Sequence, residues 1–576
     1  MQSTVLRLRR RLPKLPRRLK SPLLLLLLGL LLLGWLGWGG HSPRRGDRHS
    51  HSLKDWHDYA VIEADSRRSG LGEGGRPASL PASASARQKA DLFQANGFNA
   101  LLSDSIALDR SIPDLRYPEC RSQLHYRRLP TAALVIPFHE EHLSTLLRTA
   151  VSCRARAPPQ LLTEIILVDD ASQKPALGGP LEAALAKHFP QSGFTRVLRA
   201  PKREGLIRAR MRGIAAVTAD VVIVMDSHCE CGVNWLPPLL HPIAEDYRTV
   251  VCPFIDVINQ ETFEIRSQDT GARGSWSWNS FHYKRLPLLS ESLRHHAEPF
   301  ASPVMAGGLF AMTRRWFNEL GGYDSGLDIW GGEQYELSFK IWQCGGRMLD
   351  APCSRVAHIY RNFMPYKNPS NLGDFITRNF KRVAEVWMDE YKEQLYSTNN
   401  EEQYRLVDAG DLTKQRAIRE RLKCHNFDWY MKNVAFDQPK FYPYRRPAKS
   451  LTGFLKAESA NRCVAVAPGN SKPSMTTCGD GGGGATLLHL SERDEIRVHA
   501  SPPERCFDVP DGRAVQLFAC HGMRGNQYFK YFPDIGRLRH VPSSRCVALD
   551  SRLEQLALVP CSKADSAQRW AWVSAA

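Results

Sequence analysis

The residues best placed to do chemistry stand at the end of a short apolar run. Val221 to Met225 stops at Asp226-Ser227-His228. A strand ending in that way can set a carboxylate and an imidazole on one cation, with a diphosphate completing the coordination. Taken alone, D-x-H is also an ordinary polar strand end. Cys229 and Cys231 follow at once around Glu230. They imitate half of a zinc site, but the sequence has no partner pair at zinc spacing, so they are read as thiols near whatever ligand this strand end binds. Cys153 and Cys252 are expected to be buried and free.

Such groups need a rigid scaffold. Ala132 to Ile136 reads as a strand leading to a helical stretch from His142 to Cys153, and Glu164 to Val168 as a strand ending in Asp169 and Asp170. Short apolar strands alternating with helical segments predict an α/β fold with a mostly parallel sheet. In such sheets the ligand crevice lies at the carboxyl ends of the strands, where these acids fall. A Pro- and Arg-rich segment follows, carrying Pro439, Pro443 and Pro447, and is read as a linker over 437–450.

Beyond it the chain repeats itself. Arg462-Cys463-Val464, Arg505-Cys506-Phe507 and Arg545-Cys546-Val547 each precede a second cysteine, at Cys478, Cys520 and Cys561. Three such units imply a threefold all-β module with local disulfides. The endings Gln527-Tyr528-Phe529 and Gln568-Arg569-Trp570 resemble those of the ricin B-type β-trefoil lectins, which places that domain at 451–576. The first unit has a glycine run, Gly481 to Gly484, in place of the ending.

Composition bounds the rest. The chain has 576 residues, 43% hydrophobic and 24% charged, which excludes wholesale disorder. A net charge of +18 suggests an anionic partner, but eleven basic residues and one acid fall within the first fifty positions, leaving +8 for the other 526. Nucleic acid is therefore not an expected partner. Residues 1–21 read as a cytoplasmic tail, and 22–39, with the uncharged run Leu23 to Gly39, as a transmembrane signal-anchor. A cleaved signal peptide would need a shorter apolar core and a clear cleavage site. Residues 40–117, rich in Arg, Ser, Gly and Ala, read as a lumenal stem, and 118–436 as the α/β domain.

Two stretches carry a family resemblance. Asp226 to Leu240 (DSHCECGVNWLPPLL) and Asp328 to Gly346 (DIWGGEQYELSFKIWQCGG) resemble the polypeptide N-acetylgalactosaminyltransferases, Golgi enzymes that move GalNAc from UDP-GalNAc onto Ser or Thr. The resemblance runs from about Pro118 to the C-terminus. It implies a GT-A type nucleotide-sugar fold and Mn2+ held by Asp226, His228 and His358. It places His139, Asp170, Arg203 and Ser227 at the nucleotide sugar, Gly307, Gly308, Trp330 and Glu333 at the sugar and acceptor, and Arg361 and Tyr366 on a loop closing over the donor. Glu333, Trp330 and Asp226 are the catalytic candidates, although Glu333 is equally compatible with hydrogen bonding to the sugar and is not assigned as a base. The family retains the anomeric configuration of its donor, and no carboxylate announces itself as a covalent nucleophile, so a front-face displacement is expected.

The resemblance also pairs Cys120 with Cys353 and Cys344 with Cys424. In the lectin, Asp508, His521 and Asn526 of the middle unit match the family's GalNAc-binding set. The first unit has Ala465 at the acid's place, and the third has moved its acid to Asp550. Pro137 and Met364 depart from residues that some relatives carry. The expected activity is mucin-type O-glycosylation at the Golgi membrane, by a single-pass type II protein. Ser302 to Ala306 and Trp330 to Glu336 look most similar to the branch that prefers glycopeptides. The alternative is a catalytically silent GalNAc-binding lectin, which would have no need to keep a complete metal set.

Overall fold

The structure is a computed structural model that describes residues 52–574 apart from 269–270, 279–280, 362, 364, 367–373, 397–403, 405, 444–448, 468, 480–483, 492–493, 499–503, 511–513, 522–523, 551 and 553. The expected tail and anchor lie outside the described residues, as does Met364. No helix among those described is long and apolar enough to cross a membrane.

Ala132–Phe138 is buried along its whole length. Its alternate residues enter two separate cores, Ala133 and Val135 one, Leu134, Ile136 and Phe138 the other. That is the pattern of a central strand covered on both faces, which explains the unbroken apolar run. Parallel neighbours are Leu162–Asp169 on one side and Val221–Val224 on the other. Beyond Val221–Val224 the sheet turns mixed, because Phe310–Thr313 pairs antiparallel with it. The order continues through Thr249–Ile258 and Arg347–Ile359 to Phe300–Ala301.

Helix Leu206–Ala215 packs closely on this sheet. At Gly213 a Cβ would come within 2.4 Å of Val135 Cγ1, so only glycine lets the helix lie that near. The helix expected from His142 begins at Leu143, with His142 as its cap residue, and runs to Ala155.

Residues 54–117, read as a stem from composition, differ from that reading. They form helices Tyr59–Arg67, Ala86–Asn96 and Ala100–Ser105. Phe98, Leu102, Ile106 and Ile112 share a core with Ile258, Phe263, Ile265 and Ile359 of the sheet domain. Arg110 forms two 2.8 Å bonds with Glu230, and both side chains are buried. Scattered apolar residues among Arg, Ser and Gly hid this packing from a compositional reading. The linker is likewise shorter than 437–450. Asp437 pairs with Arg273, Gln438 accepts a 3.1 Å bond from Trp278 Nε1, and strand Lys449–Ala457 already belongs to the C-terminal module.

That module is all β, around a core that includes Leu455, Val464, Leu488, Phe507, Phe529, Val547 and Trp570. Disulfides join Cys463 to Cys478, Cys506 to Cys520 and Cys546 to Cys561. In the sheet domain Cys120 is bonded to Cys353 and Cys344 to Cys424.

Candidate active site

Strand register assembles the metal set. Val224 pairs with Phe310, so the chain leaves the sheet at Met225 and places Asp226 beside the turn that contains Gly308. Cys229–Cys231 then pairs antiparallel with the long strand Arg347–Ile359, Cys229 opposite His358, and Ile359 N donates to His228 O at 3.1 Å. The two imidazoles come to 4.7 Å between centroids. Among the described residues, Asp226, His228 and His358 are the group able to hold a metal ion, with ligand atoms all within 4.8 Å of one another.

The donor set fits a hard divalent cation. His228 Nδ1 is engaged 2.8 Å from Glu141 Oε2, which leaves Nε2 to face the cluster. His358 Nε2 lies 3.4 Å from Asp226 Oδ2. A Cβ at Gly308 would stand 2.5 Å from that same Oδ2, so the absent side chain leaves the carboxylate its place. Burial would raise the Asp226 carboxyl, but the His358 hydrogen bond and the Arg210 guanidinium hold it down at about 2, ready as an anionic ligand. One carboxylate and two imidazoles leave room for diphosphate oxygens, a combination suited to Mn2+.

Beside this cluster opens a cavity of about 260 Å³, lined by His139, Asp170, Arg203, Trp330, Arg361 and Tyr366 among others. Its wall is fixed by local hydrogen bonds. His139 Nδ1 donates to the Asp170 carbonyl at 2.7 Å. The Asp170 carboxylate accepts from the amides of Glu204 at 2.6 Å and Gly205 at 2.8 Å, and burial raises its pKa. The Arg203 guanidinium lies 5.0 Å over the Tyr366 ring, and the His139 ring meets Tyr366 edge-on at 5.3 Å. Volume alone does not single out this place: a cavity of about 330 Å³ near Trp56 and Tyr59 holds no comparable metal cluster among the described residues.

The remaining expected residues distribute unevenly. Trp330 lines the cavity and is 38% exposed. It sits in a turn between Ile329 at φ 51° and Gly331 at φ 94°, held by Asn379 Nδ2, which donates to the carbonyls of Asp328, Trp330 and Gly331. Ser227 lines the cavity, but its hydroxyl is committed to Glu141 at 2.8 Å. Glu333 is buried, accepts from Gly331 N at 2.6 Å and stands 3.5 Å from Arg210 Nη1, and burial raises its pKa. Gly307, at φ 99°, brings its Cα against Gln334.

Two residues escaped the sequence reading. Glu141 is buried, accepts from Ser227, His228 and Arg361, and is held well below the usual carboxylate range by the Arg361 and His228 beside it, although burial opposes this. Arg210, buried on helix Leu206–Ala215, stands between Asp226 at 3.4 Å and Glu333. The signal for Glu141 was present: it follows His139 by two residues at a strand end. The cysteine reading is refined. Cys229 and Cys231 follow His228 of the cavity wall but do not line the cavity themselves. Both are fully buried in the second core, Cys231 Sγ 3.8 Å and Cys153 Sγ 3.4 Å from Met225 Sδ, and burial pushes the Cys229 and Cys231 thiols well up. Cys153 and Cys252 are buried and free.

In the middle lectin unit Gln527 Nε2 donates to Asp508 Oδ2 at 2.9 Å and to Ala519 O at 3.0 Å, while its Oε1 accepts from His521 N at 3.1 Å. One amide thus ties Asp508 to His521, with exposed Asn526 adjacent. The third unit repeats the device with Gln568, whose acid partner is Asp565.

Comparison with known proteins agrees with this geometry. Residues 133–321 match the glycosyl transferase family 2, residues 289–363 the N-terminal domain of galactosyltransferase, and residues 451–570 the ricin-type beta-trefoil lectin domain. The chain is 50% identical over 533 residues to the putative polypeptide N-acetylgalactosaminyltransferase 10 of Caenorhabditis briggsae, covering 91% of this chain and 84% of the relative. It is 44% identical over 551 residues to the human polypeptide N-acetylgalactosaminyltransferase 10, covering 93% and 89%. A crystal structure of GalNAc-T7 with UDP, GalNAc and Mn2+ superposes with a TM-score of 0.66 at 36% identity, covering 88% of this chain and 93% of that one.

Proposed function

The chain belongs to the polypeptide N-acetylgalactosaminyltransferase family, and from that premise we propose that it transfers GalNAc from UDP-GalNAc to Ser and Thr hydroxyls of proteins, with retention of configuration and a preference for acceptors already bearing GalNAc. The observation that carries the reading is the convergence of Asp226, His228 and His358 on the edge of one cavity whose other wall is His139, Arg203 and Tyr366.

Asp226, His228 and His358 would hold Mn2+, which when bound would supply positive charge to offset that on the diphosphate leaving group. The chain's own cations share that task. Arg361 Nε, and Nε and Nη1 of Arg203, are buried without a hydrogen-bond partner, so they are donors in reserve for phosphate oxygens. Arg210 neutralises Asp226 and Glu333 from below and keeps both carboxylates in place.

The carboxylates on the cavity wall are all committed: Asp170 to two amides, Glu141 to Arg361 and His228, Asp226 to the metal set. None stands free as a covalent nucleophile of the kind a double displacement needs. This supports a front-face displacement, in which the leaving phosphate accepts the acceptor hydroxyl proton.

The middle lectin unit would bind GalNAc through Asp508, His521 and Asn526, steering the enzyme to partly glycosylated acceptors. With the basic tail and leucine-rich run ahead of residue 40, the same reading makes the protein a type II enzyme of the Golgi membrane. The test is transfer from UDP-GalNAc with Mn2+ to matched peptides with and without an attached GalNAc, beside Asp226→Ala and Asp508→Ala. Turnover that Asp226→Ala abolishes, and a glycopeptide advantage, are expected. No turnover on either peptide would overturn the proposal.

A further inference from the structure

Arg361 reaches the cavity from the strand that carries His358, and its position is set from an unexpected quarter. Helix Ala86–Asn96 ends at Gly97, whose φ is +76°. A Cβ on Gly97 would stand 3.1 Å from Arg361 Cδ, 3.3 Å from Cγ and 3.4 Å from Cβ, so the aliphatic part of Arg361 lies flat on the bare glycine. The next residue, Phe98, is fully buried and presents its ring 5.3 Å from the Arg361 guanidinium. Phe93, one turn earlier, has its ring 6.2 Å from that of Phe363. From the other side Glu141 accepts from Arg361 Nη2 at 2.7 and 2.8 Å.

The turn itself is tied to the site's framework. Lys174 Nζ donates to Asn96 Oδ1 at 2.8 Å and to Glu140 O at 2.6 Å, joining the turn to the segment that carries His139 and Glu141. His142 Nε2 lies 2.7 Å from Asp104, and Arg148 donates to the carbonyls of Ser103 and Ile106.

We propose that the turn Asn96-Gly97-Phe98 is the seat that positions Arg361 for the donor diphosphate, so that residues 86–110 are a working part of the transferase and not a tether. Gly97 suits the site on two counts: its backbone is left-handed, and a Cβ there would crowd the Arg361 side chain by a few tenths of an ångström. Phe98 supplies a ring face that favours a cation without competing for its hydrogen bonds, leaving Nε for phosphate. Glu141 fixes the opposite edge. Gly97 and Phe98 act through Arg361 and are positioning residues.

The inference rests on the transferase reading, and its test separates the two. Gly97→Asn keeps a residue that tolerates positive φ but adds a Cβ against Arg361. It should raise KM for UDP-GalNAc and lower kcat/KM by about tenfold, with acceptor KM and Tm near wild type. In an Arg361→Lys background the same change should add less than twofold, because both act on one contact. Phe98→Leu, which keeps the apolar volume, should repeat the pattern if Gly97→Asn does not fold. Effects that multiply in full with Arg361→Lys, or a donor KM within twofold of wild type, would overturn the seat. Wild-type chain that turns over no acceptor would overturn the transferase reading instead. UDP affinity in Mn2+, measured on the same variants, would then still decide the seat.

Discussion

At Gly308 a single methyl group would stand 2.5 Å from Asp226 Oδ2, closer than any real contact allows, so Gly308→Ala should shift the carboxylate proposed to hold the metal. Displacing a catalytic group by a fraction of an ångström to an ångström costs on the order of 100-fold in rate. Turnover should fall by that order while the melting temperature stays close to wild type, which initial rates and calorimetry on the same sample would check. Glu141 makes a second prediction. Its carboxylate orients His228 through Nδ1 and holds Arg361, and removing such an outer partner weakens metal binding by roughly 10–100-fold. Glu141→Gln should therefore raise the Mn2+ concentration needed for half-occupancy by that factor, read from the free-Mn2+ signal in electron paramagnetic resonance. An unchanged titration would show that His228 keeps its orientation without the charge.

Among the elements, the short strand His125–Tyr126 carries a buried cost. His125 is 3% exposed, and burial, reinforced by the positive charges of His241, His57 and Arg116, lowers its pKa to about 3. The folded form thus resists a proton that the unfolded chain takes up near pH 6.5. Stability is complete above that value and is lost as the pH falls toward 3, by up to about 1.4 kcal/mol per pH unit. His125→Phe should flatten urea-unfolding free energies between pH 7 and 4, and an equally steep loss would reject the assignment. Element by element, the sequence was most legible where one strand feeds one core pattern. Ala132–Phe138, Leu162–Asp169 and the Asp226-Ser227-His228 end could be read from apolar runs and their polar stops. His358 could not be read that way, because its partnership with His228 is created by the register of two strands over a hundred residues apart. It needed the family motif. Arg210 gave no signal, since helix spacing does not reveal which arginine faces a carboxylate. The N-terminal helices were lost to composition, because Phe98 and Ile106 find their core in residues 258–265 and not nearby.

For the whole molecule, that packing predicts where the chain can be shortened. Protein beginning at residue 52 keeps Arg110 on Glu230 and the seat for Arg361, and should transfer at the full rate. Protein beginning at residue 118 leaves Ile258, Phe263 and Ile359 uncovered and takes from Glu230 its Arg110 partner. It should be insoluble or inactive, as expression followed by turnover would show, and an active protein from residue 118 would mean that the helices are dispensable. The bond between Cys120 and Cys353 has a further consequence, in time and not in space. The two cysteines are 233 residues apart, so at the pace of protein synthesis Cys120 waits on the order of ten to fifty seconds for its partner to be made. Cys153, Cys229, Cys231, Cys252 and Cys344 appear during that interval, and each is a wrong partner within reach. The four that end as free thiols end buried. Early collapse of the central strands around Cys153, Cys229 and Cys231 would hide those wrong partners before the right one exists, and the order of burial during synthesis would then guard the pairing of the finished enzyme.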